Sequence, residues 1–162
     1  MSDGAALNSA GRSVVTMLYA LNQAWLDRHP DDLAVWTNCI ESHLTTGRLA
    51  EVSALLAKVF AKLSPAEQVP LLAIESAALL GQGKTTEAAQ KRQALRALVV
   101  AQPAEFRSTW AFGGTRHFLQ TDPRFAPHRA QLLALLSALE QPNRAAIFAA
   151  LDACCLDAVQ KP

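Results

Sequence analysis

Strand-forming residues are what this 162-residue chain has least of: aromatics make up 6% of it and β-branched side chains are sparse, which argues against a sheet. The three cysteines, Cys39, Cys154 and Cys155, are an odd set with no CxxC spacing. A disulfide framework is excluded, and they read as small buried apolar residues in a reducing compartment. The longest dense apolar run, Leu132 to Leu136 continuing to Leu139, falls well short of the about 20 residues needed to cross a bilayer. The opening MSDGAALNSAGRSVV lacks the charged head and apolar run of a signal peptide. These absences predict a cytoplasmic chain without membrane insertion. A net charge of +1 argues against a dedicated nucleic-acid binder.

What is present favours helices. Hydrophobic residues make up 51% of the chain, and about a fifth of all residues are Ala, the best helix former and one that lets helix axes approach closely. The expectation is one all-α domain over residues 1–162, with residues 1–11 and 160–162 fraying. Val14, Val15, Leu18, Leu21, Trp25 and Leu26 predict an amphipathic helix over about 12–27, docked by that face with Asn22, Gln23 and Asp27 outward. His29-Pro30 ends it, and Asp31 is placed to cap the next helix, which carries Leu33, Trp36, Ile40 and Leu44. Gly47 closes that helix and another runs from Leu49 through Leu63. Ser64-Pro65-Ala66-Glu67 spells a capping box with Pro at the first helical position. The helix it starts reaches Gly81-Gln82-Gly83, and a partner follows from Thr85 to Val100. Further helices are expected from Ala104 to Gln120, from Pro127 to Glu140, and from Pro142 to the C-terminal tail. That makes eight: one leading, three pairs and one closing.

Gly47 and Gly83 stand 36 residues apart, and Pro30, Pro65 and Pro103 are spaced 35 and 38 apart. A helix-turn-helix unit at such a period indicates stacked hairpins. The unit DLAVWTNCIESHLTTGRLAEV, the stretch Ala77 to Gly83 followed by Glu87-Ala88-Ala89, and Trp110, Gly114 and His117 together resemble the tetratricopeptide repeat over roughly residues 30–140. Cys39 and Ile40 depart from that pattern, as do Val52, Leu72 and Gly113. The resemblance implies a right-handed α-solenoid of about three antiparallel hairpins, with a non-repetitive helical bundle as the alternative.

Motifs that invite chemistry read more simply as structure. Gly81-Gln82-Gly83-Lys84-Thr85 ends like a phosphate loop but has Ala78 where the motif needs Gly and a helix where it needs a strand. It reads as an inter-helix turn with a capping Thr. Cys39 and His43 share a helix face without a second ligand pair, so no metal is expected. The four histidines and few acids make no acid-base pair at usable spacing, so neither enzymatic activity nor a cofactor is expected. Trp110 to Phe118 is the most unusual stretch, because Gly113-Gly114 inside a helix costs about 1 kcal/mol per glycine relative to Ala. Close helix packing would compensate, or a kink or break there presents Arg116 and His117 to an acidic partner or phosphate. Residues 84–129 carry eight basic and three acidic side chains, a sum of +5, consistent with steering such a partner.

The expected function is non-enzymatic: an adaptor, scaffold or chaperone binding a peptide or helix of another protein. On the repeat resemblance the groove is lined by Ala34, Thr37, Glu41 and Thr45, then Ala73, Ala77 and Leu80, then Ala111, Thr115 and Phe118. The alternative is an accessory subunit of an enzyme or secretion assembly docking through its C-terminal helices. There Leu132 and Leu136 form an interface for a partner or a homodimer unless the closing helix covers them.

Overall fold

The computed structural model describes residues 17, 20–110 and 112–156 of the chain, and among these every regular element is helical. The fraying expected at 1–11 and 160–162 and the start of the first helix lie outside the described residues. Two compact units divide the chain, Met1–Arg48 and Leu49–Pro162.

In the first unit, α1 covers residues 20–28 and α2 covers Leu33–Thr45. Asp32, not Asp31, caps α2: its side chain accepts from the Ala34 amide at 2.9 Å, because Asp31 is still in the turn. The Trp36 indole N–H donates to Pro30 O at 2.8 Å, fixing the same turn. At the far end of α2, Gly47 has φ 73°, its amide bonds Leu44 O at 3.0 Å and the Arg48 amide bonds His43 O at 2.8 Å. Those two bonds make a Schellman motif, which needs a residue without Cβ strain at the left-handed position. The α1 face is rotated from the expected one. Asn22, assigned outward by its polarity, donates from Nδ2 to Ser42 Oγ at 2.6 Å and accepts the Cys39 thiol on its carbonyl at 3.2 Å. Leu26 is buried, whereas Leu21 and Trp25, expected in the core, are exposed.

The second unit is built on one helix. Helices α3 (Leu49–Phe60), α4 (Pro65–Gly81), α5 (Thr85–Val100), α6 (Gly113–Thr121), α7 (Arg129–Leu139) and α8 (Arg144–Leu156) follow, with a 3₁₀ turn at Pro123–Phe125. The expected capping box is formed at Ser64 and Glu67. Every residue of α4 from 69 to 80 is buried, because α3, α5, α7 and the 3₁₀ turn all pack on it. Two of those residues are polar. Ser76 Oγ receives Arg92 Nη1 at 3.1 Å, and Lys91 Nζ stands 3.3 Å from Glu75 Oε2 as an ion pair. Such contacts close in one register of α4 on α5. The α4 end repeats the Schellman motif of α2: Gly83 at φ 76° bonds Leu80 O and the Lys84 amide bonds Leu79 O. Lys84 rather than a Thr is the N-cap of α5, with no side-chain cap bond. α3 stops at Phe60, short of Leu63.

The largest departure is at residues 104–110 and Phe112, expected as the first half of a helix from Ala104 to Gln120 and found irregular. The backbone groups of this segment bond elsewhere. The Ser108 amide donates to Leu139 O at 2.6 Å, the Arg144 amide donates to Ala104 O at 2.9 Å, and the Trp110 amide donates to Ser108 Oγ at 3.0 Å. The segment thus satisfies the last turn of α7 and the first of α8, which would otherwise hold unpaired groups. α6 begins only at Gly113, so the glycine pair opens a helix instead of interrupting one, and the interior penalty does not arise. Trp110 consequently lies outside the helix that carries Gly114 and His117.

Candidate functional site

The expected groove is mostly not a surface. Ala73 and Ala77 are 1% and 2% exposed within α4, and Leu80 is buried beside them. Thr115 and Phe118 are buried in α6, where Phe118 meets Phe125 edge-on at 5.3 Å between centroids. Ala111 lies outside the described residues. On α2, Thr37 and Glu41 are half-buried, and Ala34 and Thr45 are exposed. The Thr37 and Thr45 hydroxyls turn back onto Leu33 O and Ser42 O. Leu132 and Leu136, offered as an interface, are each 2% exposed, with α8 and α6 packed on α7.

The basic surplus of residues 84–129 is largely taken up inside the fold. Arg116, expected to meet an acidic partner, is ion-paired with Glu140 and bonded to Ser137 Oγ, whereas His117 beside it is exposed. Arg96 pairs with Asp152, Arg124 with Asp122, and Lys91 with Glu75. Arg129 donates to the carbonyls of Leu119 and Asp122, and Arg92 to Ser76. The Arg124 guanidinium holds the Asp122 carboxyl below its usual range, chiefly through their side-chain hydrogen bond. Burial, with the Asp27 carboxylate adding to it, pushes the Cys39 thiol up, away from the thiolate a nucleophile or metal ligand would need. Among the described residues no three of His, Cys, Asp and Glu stand together as a metal would require, and no helix is long and apolar enough to cross a membrane.

The unsatisfied surface is on the first unit, where sequence reasoning placed a buried face. Met17, Leu21 and Trp25 are 59%, 60% and 53% exposed. Four-residue spacing puts Leu21 and Trp25 along one side of α1, and Met17 precedes Leu21 by the same interval. Leu21 and Trp25 also line a cleft of about 500 Å³ between α1 and α2, with Asn22, Asp32, Ala34, Val35 and Asn38. The Trp25 ring lies against His29 at 4.8 Å between centroids. A signal for this face was in the sequence: Met17, Leu21 and Trp25 form a stripe apart from Leu26, more apolar surface than one docked face uses. No family model, no curated protein and no solved structure matches this chain, so the chemistry of its own surface is what points to a function.

Proposed function

We propose that the protein is a non-enzymatic interaction module, and that it binds a peptide or helix of another protein in the cleft between α1 and α2. One observation carries the reading: three large apolar side chains, one of them a tryptophan, stand in solvent beside a cleft with an apolar wall. Scattered exposed leucines are ordinary, but an aligned apolar stripe at a cleft marks a contact surface, and tryptophan is prominent among interface anchors. Full burial of a Leu- or Met-sized side chain stabilises by about 1.5–3 kcal/mol, so covering three half-exposed ones contributes a few kcal/mol toward association, with the remaining contacts of the cleft supplying the rest. Adaptor, scaffold and chaperone roles all use such a face, and the helical-hairpin resemblance agrees with them.

The test uses Leu21→Glu. Its side chain is already exposed, so the melting temperature should stay close to that of the parent, while proteins captured from native lysate by the parent should be lost. Capture that survives the substitution, in a protein still folded by circular dichroism, would remove the cleft from the binding surface.

A further inference from the structure

We infer that the segment bound in the α1–α2 cleft carries a lysine or arginine, whose aliphatic stem lies on Leu21 and Val35 and whose cationic head sits between Trp25 and Asp32. The inference rests on the cleft being the binding surface and specifies the chemistry of what fills it. Of the seven described residues that line the cleft one is charged, the acid Asp32, and two are amides, Asn22 and Asn38. The Asp32 Oδ1 atom holds the Ala34 amide, leaving Oδ2 for an incoming donor. Asn22 Nδ2 is engaged by Ser42, which leaves the amide oxygen of this lining residue as an acceptor. An exposed indole offers the negative face of its ring to a cation. Acceptors and an aromatic face together suit a positively charged group.

Other ligand classes fit less well. Among the described residues no lysine or arginine lines the cleft, so an anion would meet a carboxylate and no counter-charge there. A bare metal ion would find one carboxylate and no group of three ligands among the described residues. A wholly apolar segment would cover Asp32 without a donor for it, at the desolvation cost of a carboxylate. The surrounding charge agrees: described residues of the first unit carry four carboxylates, Asp27, Asp31, Asp32 and Glu41, against Arg28 and Arg48. About 500 Å³ lies within the roughly 300–1,000 Å³ of ordinary ligand clefts and has room for one long basic side chain with an apolar neighbour.

The experiment compares two designed tryptophan-free peptides, a leucine-faced helix carrying one arginine and its twin with glutamate at that position. Protection of tryptophan fluorescence from acrylamide reports on Trp25, because Trp36 and Trp110 are 5% and 9% exposed. The arginine peptide should bind about tenfold more tightly, the sum of a cation–π contact and an exposed ion pair. Asp32→Asn keeps a capping side chain on α2 but removes the charge, so the preference should fall to about threefold, the share the cation–π contact supplies, with apolar binding retained. Asp27→Asn, outside the cleft lining, should leave the preference unchanged. Equal binding of the two peptides overturns the cationic partner and leaves the apolar cleft standing. A preference that Asp27→Asn erodes as much as Asp32→Asn reflects a diffuse field and also overturns it. Failure of both peptides to protect Trp25 overturns the cleft itself. Concentration-dependent protection without peptide, matched by dimer formation in sedimentation, would make a second copy the occupant and refute the inference.

Discussion

At the scale of the residue, two glycines of the second unit show how differently one residue type is used. A Cβ on Gly81 would stand 2.6 Å from Leu49 Cδ1 and 2.7 Å from Phe125 Cζ, both on buried side chains. Gly81→Ala should therefore lower stability by about 1–3 kcal/mol, read as a fall in the denaturation midpoint. At Gly113 a Cβ meets nothing within 4 Å, and the residue opens α6 at negative φ. Gly113→Ala should be neutral or stabilise by up to about 1 kcal/mol, by restricting the unfolded chain. Close packing against a glycine, expected from the sequence at the 113–114 pair, is found at Gly81 and not at Gly113. Asp122 supplies a second test. Its folded carboxyl titrates below the usual range, so its stabilising contribution is complete above the unfolded value of about 3.9 and is lost as pH falls through the folded one. Asp122→Asn keeps a capping side chain for the 3₁₀ turn but forfeits the Arg124 pair. Its melting temperature should lie below the parent's at pH 7, and the gap should narrow as the pH falls below the unfolded carboxyl's value and close below the folded one.

At the scale of the element, helix ends were legible and helix faces were less so. Ends depend on a few neighbouring residues: the Ser64–Glu67 box, Pro65 at the first position, and the left-handed Gly47 and Gly83 all act within one turn. Faces depend on what arrives from elsewhere in the chain. α4 shows little periodic signal and is buried all round because four other elements surround it. The α1 register turned on Asn22 finding Ser42 and Cys39 twenty and seventeen residues away. The segment 104–110 is the clearest case, since its expected helix is replaced by bonds to α7 and α8. Arg144 ties the arrangement down, donating from Nη1 to Val100 O at 3.3 Å and to Gln102 O at 2.5 Å. Charged hydrogen bonds of this kind contribute about 1.5–3 kcal/mol when shielded, and less here because the first is solvent-exposed. Arg144→Ala should lower stability by about 1 kcal/mol and speed amide hydrogen exchange at the end of α5 before that of α4.

At the scale of the whole molecule, the described part of the second unit keeps most of its charges within its own fold, and an aligned apolar face is left on α1 of the first. The arginines and lysines that suggested an acid-seeking surface hold carboxylates and carbonyls of the second unit. The apolar helix α7, which suggested a dimer, is packed under its neighbours. Leu21→Glu and Leu136→Glu should thus separate cleanly. The former should leave the melting curve nearly intact and abolish binding, and the latter should unfold the protein by placing a charge at a position 2% exposed. By itself the sequence determined the all-helical class, most of the helix boundaries and the two glycine turns, because alanine-rich composition, capping and left-handed turns are local matters. Only the tertiary structure decided which apolar residues are inside and which charges are satisfied. Burial and pairing depend on partners brought together across many residues of chain, and the same stripe of leucines and tryptophan reads alike whether a neighbour covers it or not.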